Sequence, residues 1–588
     1  MTMLTADDLT AAEQQVMSAV ASGEAADLRV GDAETDAPGR GASWTPERTV
    51  RAEVVAQLLL DADVRTPVRL AGARITGSLD LEGATLSRWL LLTDCWLDEP
   101  VSLCHATAPL IRMTGCHLPG LDAEDLCVHA DLALEHGFTA HGEVRLARAR
   151  VGGVLSLAGA GLDNPGATAL DAARLTVDHH MLLDTGFTAR GEVCITGAQV
   201  GGDLVLTGAR LTNPQGVALA ADQLHVAQSV TGDDISVEGG ISLVGAGIGG
   251  SLTFTGASIA REDDWALLGS DLQVAQEMRL SHGFSSLGGI DLRGARLGTL
   301  TLDRAELDNP GGSALEGGWL AVDRQVSGRH ELTVRGEFSL YGARIGTRVD
   351  LRDAAFTNPG SLALDFERLD TPALYLLPRR SPDGLVDLSH AKVGTLHDDP
   401  ATWPDRLDLR GLTYTTLTNE HTSVRQRLNW LGRQPGGYAP QPYDQLAAAY
   451  RQAGQEDAAR LVAIHKQYRR RRTLNPAGRL VNWLLYLTVG YGYRTWLAAL
   501  WLLVLLALGT VVFDHAHPSH MTAASTPAPA YHSVAYSLDV LLPIIDLGQQ
   551  KAWLPTGSAL YWSWLLSGAG WVLTTAVAAG LSGVLKRG

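Results

Sequence analysis

Two aspartates in the segment SVAYSLDVLLPIIDLG, residues 533–548, are the side chains best placed to do chemistry. The segment is too short to span a membrane and very apolar for an ordinary loop. If it enters the bilayer as a re-entrant segment, carboxylates at that depth would line a path for cations. The candidate pore residues are then Tyr536, Asp539, Pro543 and Asp546, with Pro543 breaking the half-helix. The alternative is an amphipathic segment that rests on the lipid surface.

Four consecutive arginines, Arg469, Arg470, Arg471 and Arg472, form a second candidate site. Guanidinium groups pair well with phosphate, and a basic cluster beside a membrane segment attracts anionic headgroups. The alternative is that the cluster only sets the orientation of the membrane segment that follows it. The first interpretation predicts membrane lipid as a partner.

Motifs for catalysis and cofactor binding are weak. Gly245, Gly247 and Gly250 satisfy the dinucleotide pattern GxGxxG, but they lie at a corner of a repeat and no helix follows them. The five cysteines include no CxxC pair, and no HExxH, GxSxG or Walker motif occurs. We therefore predict no catalytic residue, no metal site and no cofactor. The net charge of −17 argues against nucleic acid as a partner.

The most prominent structural feature of the sequence is an internal repeat. Six copies follow one another at intervals of 48 or 49 residues. The copies begin at Gly142, Gly191, Gly239, Gly288, Gly336 and Gly384. Within each copy, short runs of alternating apolar residues meet glycine-rich breaks, which is typical of short strands joined by tight corners. The pattern predicts a mainly β fold, a parallel β-solenoid with about 14 or 15 coils of about 24 residues each.

Helices should cover the ends of such a solenoid, because an uncovered edge strand pairs with other molecules. At the front, Thr45 as the N-cap and Pro46 at the first helical position predict a cap helix. Behind the solenoid, the sequence predicts two helices broken near Gly454. Asn-Pro pairs recur in the repeat and predict a turn. They lie at Asn164, Asn213, Asn309 and Asn358.

Two uncharged segments, residues 495–513 and 559–585, are long enough to span a membrane. Basic residues precede the first segment and follow the second segment. The 45 residues between the two segments contain one basic residue, Lys551. The positive-inside rule then places both termini in the cytoplasm. The sequence predicts a plasma-membrane protein with two spans. The second span also carries small residues four apart, Ala576 with Gly580 and Ala579 with Gly583, which favour a homo-oligomer.

These features divide the chain into four segments. Residues 1–65 form an N-terminal helical cap, 66–417 the β-solenoid, 418–473 a helical hairpin with a basic linker, and 474–588 the membrane domain.

The stretch LAGARITGSLDLEGATL resembles pentapeptide-repeat proteins, which implies a right-handed coil. More of the chain, including RAEVVAQLLL, TVGYGYRTW, YSLDVLLPIIDLG and GWVLTTAVAAGLSG, resembles a group of actinobacterial membrane proteins with pentapeptide-like repeats. Members of that group are often labelled membrane-associated oxidoreductase, so the resemblance implies that activity.

Three functions remain open at the level of the sequence. The first is a membrane-anchored cytoplasmic scaffold whose solenoid binds an unknown cytoplasmic protein. The second is an oligomeric ion pore or transporter gated by the solenoid. The third is the oxidoreductase that the resemblance implies.

Overall fold

A computed structural model describes residues 9–61, 66–418, 422–471, 475–489, 496–524, 527, 529–542 and 544–585. The chain divides into two compact units. The first comprises Met1–Thr422 and Arg433–Pro435, and the second comprises Ser423–Gly432 and Gly436–Gly588.

The first unit is a parallel β-solenoid. Along one coil the chain passes through a first sheet, then twice through a second sheet, and returns to the first. In one column of the first sheet, apolar residues of successive coils pair in register, and all of them except the last, Leu417, are buried. They are Val68, Leu90, Ile111, Leu132, Leu155, Met181, Leu204, Val230, Leu252, Met278, Leu300, Val326, Val349, Leu374, Leu396 and Leu417.

This ladder confirms the predicted fold class, a mainly β parallel solenoid. It has sixteen rungs, slightly more than the predicted number of coils, because the first coils are only 21 to 23 residues long.

The strands of the first sheet are Ala26–Asp27, Val68–Ala71, Leu90–Thr93, Thr107–Ala108, Ile111–Thr114, Cys127–Val128, Leu132–Glu135, Arg150–Val151, Leu155–Ser156, Thr176–Val177, Met181–Leu182, Gln199–Val200, Leu204–Val205, His225–Val226, Val230–Thr231, Gly247–Ile248, Leu252–Thr253, Gln273–Arg279, Arg296–Thr301, Ala321–Val322, Gln325–Ser327, Arg344–Ile345, Arg348–Asp350, Asp370–Leu376, Lys392–Asp398 and Thr413–Leu417. Those of the second sheet are Thr49–Arg51, Arg74–Thr76, Leu79–Asp80, Trp96–Leu97, Val101–Ser102, His117–Leu118, Leu121–Asp122, Thr139–Ala140, Val144–Arg145, Gly161–Asp171, Thr188–Cys194, Arg210–Ala220, Ser236–Ser242, Ser258–Leu268, Ser285–Asp291, Glu306–Glu316, Thr333–Ser339, Ala355–Asp365, Asp383–Asp387 and Arg406–Asp408.

The repeat length of 48 or 49 residues has a structural cause, a four-residue bulge in every second coil. Residues 309–312 lie opposite a single residue of the next coil, Gly336, and a further one-residue shift follows between Ser313 and Leu315. Asn309 closes the bulge by donating a side-chain N–H to the carbonyl oxygen of Ser313 at 2.9 Å. The same arrangement sets residues 164–167 against Gly191, 213–216 against Gly239, 261–264 against Gly288, and 358–361 against Gly384.

Only glycine fits opposite the bulge. Gly336 has a φ of +122°, and an added Cβ would lie 3.0 Å from the Gly312 carbonyl oxygen and closer still to that of Asn309. From Leu155 to Leu396, coils of 25 or 26 residues therefore alternate with coils of 22 or 23. The Asn-Pro pairs that predicted a turn lie in these bulges, and each repeat is one bulged coil and one plain coil.

The core of the solenoid is a column of aliphatic side chains with interspersed phenylalanines. Phe338, for example, is fully buried, and its ring centroid lies 5.7 Å from that of Phe356 and 6.2 Å from that of Phe366 in edge-on geometry. Each large side chain removed from water in this way stabilises the fold by about 1.5–3 kcal/mol.

The N-terminal segment contains two helices, α1 (Ala11–Ser22) and α2 (Ala52–Leu60). The predicted helix start at Thr45 is wrong. Pro46–Arg48 is a 3₁₀ turn, and Thr49–Arg51 pairs as a parallel strand with Arg74–Thr76 before α2 begins. Tertiary pairing overrides the capping signal here because Val50 is fully buried in the first coil.

A buried ion pair fixes α1 to this strand. The Glu13 carboxylate, 1 % exposed, accepts hydrogen bonds from the backbone N–H and the guanidinium of Arg51. Burial alone would raise the pKa of Glu13, but these bonds and one from the Thr10 backbone lower it to about 2.

The second unit is helical. Its helices are α3 (Val424–Trp430), α4 (Gln441–Gln452), α5 (Glu456–Arg470), α6 (Pro476–Val489), α7 (Trp496–Ala516), α8 (Ser533–Leu541), α9 (Gln549–Ala552) and α10 (Ser558–Leu585). Two short antiparallel strands, Met521–Ala523 and Trp553–Pro555, pair between α7 and α10. α4 and α5 are the predicted helix pair, with Gly454 between them at a φ of +74°.

Among the described residues, one helix is long and apolar enough to cross a membrane, and it is α7. It contains most of the first predicted span, residues 495–513. The second predicted span, residues 559–585, lies within α10, and its crossing of a membrane stays a prediction.

Candidate functional site

The second unit contains a groove of about 570 Å³ between α3, α5 and α6, which we call the aromatic–basic groove. Small-molecule sites have volumes of about 300–1,000 Å³. α3 contributes Val424, Arg425, Leu428 and Asn429, α5 contributes Leu461, Ile464, His465 and Tyr468, and α6 contributes Tyr486.

The spacing of the lining residues explains how one helix face supplies half of the groove. Leu461, Ile464, His465 and Tyr468 follow one another at positions i, i+3, i+4 and i+7, so they share one face of α5. Leu461 and Tyr468 are 46 % and 49 % exposed, which is unusual for large apolar side chains at such positions. The i, i+3, i+4, i+7 pattern was the available sequence signal. Sequence reasoning missed it because the helix pair was interpreted only as packing.

Arg471 lies beside two lining residues of the groove, Tyr468 and Tyr486, and links α5 to α6. Its Nε donates to the Asn482 side-chain oxygen at 2.8 Å. Its guanidinium carbon is 5.3 Å from the ring centroid of Tyr468 and 5.0 Å from that of Tyr486, within the range of cation–π attraction. One member of the predicted lipid-binding cluster therefore lies against the side chains that line the groove.

The other arginines of the cluster lie in different places. Arg469 donates Nε–H to Nε2 of His465 at 3.4 Å. Arg470 is exposed at the last position of α5, and Arg472 lies outside the described residues. Burial, and then the positive charge of Arg469, lower the pKa of His465, so this ring is neutral near pH 7. Lipid binding by the cluster stays a prediction.

The candidate pore residues lie in and after α8. Tyr536 is fully buried, with its ring centroid 4.8 Å from that of Phe513. The Asp539 carboxylate accepts backbone N–H groups of Leu547 and Gln550, each at 2.8 Å, and so closes the loop that follows α8.

Asp546 and Pro543 complete the predicted pore set. Asp546 is exposed and paired with Lys551. Pro543 lies outside the described residues. Both aspartates thus have partners within this chain, and a cation path stays a prediction.

A column of carboxylates runs along the second sheet of the solenoid, which sequence reasoning did not find. Five carboxylates and one serine are in register on successive coils, namely Asp291, Glu316, Ser339, Asp365, Asp387 and Asp408. Arg293 and Arg410 pair with the two ends of the column at 2.7 and 2.6 Å. In the middle, burial raises the pKa of Glu316 and Asp365.

Glu337 lies beside this column, and its removal is expected to stabilise the solenoid at alkaline pH. Burial, followed by the charges of Asp365 and Glu316, raises its pKa from 4.5 to about 7. A raised pKa in the folded state favours folding at acidic pH, and that contribution is lost as the pH rises from about 4.5 through 7. Glu337→Gln should therefore increase the free energy of unfolding by about 1–2 kcal/mol at pH 8 and change it little at pH 4.5.

Thermal unfolding of the full chain at both pH values, followed by circular dichroism, measures this difference. Glu262→Gln, at an exposed position of the same unit, is the matched control and should change stability equally little at both. A Glu337→Gln variant with the same effect at pH 4.5 and pH 8 would contradict the assignment.

One group of potential metal ligands occurs among the described residues. Single ligand atoms of Cys104, Asp122 and Glu124 lie within 4.8 Å of one another. However, Arg145 pairs with Asp122 at 3.3 Å, and Arg148 pairs with Glu124. Because arginines already balance both carboxylates, this group does not point to a metal.

The described residues define a parallel β-solenoid joined in one chain to a helical unit with an apolar helix and an aromatic–basic groove. Comparison with family models, with curated proteins and with solved structures finds no match. The resemblance to actinobacterial membrane proteins, and the oxidoreductase activity that it implies, therefore stay predictions.

Proposed function

We propose that this protein is a membrane-anchored scaffold whose solenoid recruits a protein partner in the cytoplasm. The unbroken ladder of sixteen rungs carries the proposal. Such a ladder fixes outward side chains at about 4.8 Å intervals, so a partner meets an ordered surface without an entropic cost of ordering it.

Apolar side chains on the surface of α7 support membrane anchoring. Leu500, Leu503, Val504 and Val511 are 46–64 % exposed. α10 has the same character, since Trp564, Leu565, Trp571 and Val572 are 56–67 % exposed. Apolar surface of this extent is stable against lipid but not against water. The proposal includes two spans with both termini in the cytoplasm.

The same proposal gives α1 and α2 the role of shielding the first coil. Both helices contact strands of that coil, α1 through Thr49–Arg51 and α2 through Leu79–Asp80. A right-handed coil is the form that parallel strands with right-handed twist favour. Covered ends prevent the solenoid from pairing edge to edge with other chains.

The hydrogen bonds of Asp539 and the ion pair of Asp546 favour the scaffold over the pore. Each carboxylate has partners in its own chain, whereas a conducting path needs carboxylates that face the ion.

Proximity labelling tests the recruiting role. A biotin ligase fused to the N-terminus of the full chain should label cytoplasmic proteins that the same ligase on residues 418–588 does not label. The solenoid is the main difference between the two chains, so the enriched set reports its partners. Equal labelling by both chains, or labelling of proteins outside the cell, would contradict the proposal.

A further inference from the structure

We propose that the aromatic–basic groove binds an anionic phospholipid, with an acyl chain on the apolar floor and the phosphate at Arg425 and Arg471. This inference rests on the proposed membrane anchoring, because the lipid would come from the membrane that α7 enters.

The floor of the groove calls for an apolar ligand. Leu428, Ile464 and Leu461 are its aliphatic lining residues, and Leu461 is 46 % exposed. The rings of Tyr468 and Tyr486, 49 % and 40 % exposed, form its aromatic walls. Exposure of these apolar side chains to water is unfavourable. A bound acyl chain would remove their surface from water and so stabilise the complex.

The rim of the groove selects a negative charge. Arg425 is exposed and has no hydrogen-bond or ion-pair partner among the described residues. Arg471 lies beside the rings of Tyr468 and Tyr486, and its hydrogen bond to Asn482 holds it in place. No carboxylate is among the described residues that line the groove, so an anion bound at Arg425 would meet no opposing charge from the lining.

The position of the groove in the unit favours a membrane lipid as the source of that anion. The indole N–H of Trp501, in the second turn of α7, donates to the carbonyl oxygen of Leu487 at 3.0 Å. Tyr486, the neighbouring residue, is the α6 wall of the groove. The groove is thus attached to the start of the apolar helix, and tyrosines and arginines are the residues that favour the headgroup region.

Binding of three soluble probes to the full-length protein in detergent tests the inference. The probes are dioctanoyl phosphatidylglycerol, dioctanoyl phosphatidylcholine and glycerol phosphate, with binding followed by native mass spectrometry. The anionic lipid should bind at least tenfold more tightly than the other two, because only it offers both a chain and a net negative charge. Equal binding of glycerol phosphate would overturn the lipid assignment in favour of a simple phosphate site.

Three variants locate the binding. Arg425→Glu reverses the rim charge and Ile464→Trp fills the floor, and each should weaken binding of the anionic lipid at least fivefold. Arg460→Glu is the matched control, because Arg460 lies on α5 but pairs with Asp457 and does not line the groove. Unchanged binding in both groove variants, or an equal loss in the control, would overturn the assignment.

The experiments distinguish failure of the lipid-binding proposal from failure of the proposed membrane anchoring. A protein that stays in membranes but shows no preference for the anionic lipid contradicts only the groove.

Discussion

Gly336→Ala is expected to destabilise the solenoid by about 3 kcal/mol or more, enough to prevent folding of the repeat around it. The φ of +122° is one that an L-residue adopts only with strain. The added methyl group would also meet two backbone carbonyl oxygens of the bulge, those of Asn309 and Gly312. Backbone atoms held in a ladder cannot move away as a flexible side chain would.

Gly311→Ala is the matched control for this prediction. Gly311 also has a positive φ, +78°, but an added Cβ there would have no atom within 4 Å. In this variant the free energy of unfolding should fall by only about 1–2 kcal/mol, which is the cost of a left-handed backbone conformation for alanine. Urea unfolding of the full chain, followed by circular dichroism, measures both variants.

Shortening the bulge provides the decisive comparison. Replacing residues 309–312 by a single residue shortens the bulged coil by three residues and removes the carbonyl groups of Asn309 and Gly312 that face position 336. Gly336→Ala should then cost no more than Gly311→Ala does in the parent chain. If Gly336→Ala destabilises the shortened chain as much as it destabilises the parent chain, the bulge does not explain why position 336 requires glycine.

The double variant Leu503→Arg, Val504→Arg is expected to weaken membrane attachment, because only α10 would then still cross the membrane. Leu503 and Val504 lie near the middle of α7 and are 64 % and 47 % exposed, so both face the proposed lipid. Each arginine at the centre of a span costs about 2.5–3.5 kcal/mol of insertion free energy. Together they would leave α7 without a net tendency to insert.

Extraction of membranes with alkaline carbonate measures the attachment of the full chain. The parent chain should remain in the pellet, and a clearly larger share of the double variant should appear in the supernatant. Leu287→Arg, on an exposed part of the solenoid, is the control and should remain in the pellet. A double variant as resistant as the parent would contradict the placement of α7 in the membrane, and an extractable parent would contradict membrane anchoring.

Much of the fold was predictable because a solenoid repeats the same local interactions. Each coil contacts mainly its neighbours, so the alternation of buried and exposed residues recurs in every copy. Residues such as Val193 and Ile241 therefore indicate inward positions without knowledge of distant contacts. The helix start at Thr45 was mispredicted because the capping pattern there is local, whereas the pairing of Val50 with Ile75 is not.

The candidate site was less predictable. The arginine cluster was visible as a run of identical residues, but neighbouring arginines on a helix point in different directions. Arg471 reaches Asn482 and Tyr486, and Arg469 reaches His465. Arg425, a residue of the groove, is distant in sequence and was not identified. Which side chains converge depends on how α3, α5 and α6 pack.

The sequence by itself determined the parallel stacking of coils, the apolar character of α7 and the recurrence of glycine and Asn-Pro in each repeat. These properties follow from local periodicity and composition, which are present within each single copy or segment. Only the tertiary structure decided that Gly336 faces a four-residue bulge, that carboxylates such as Glu316 and Asp365 share one column, and that a groove opens beside α6. Those features arise between residues of different coils or helices, where register and packing, rather than local preference, set the distances.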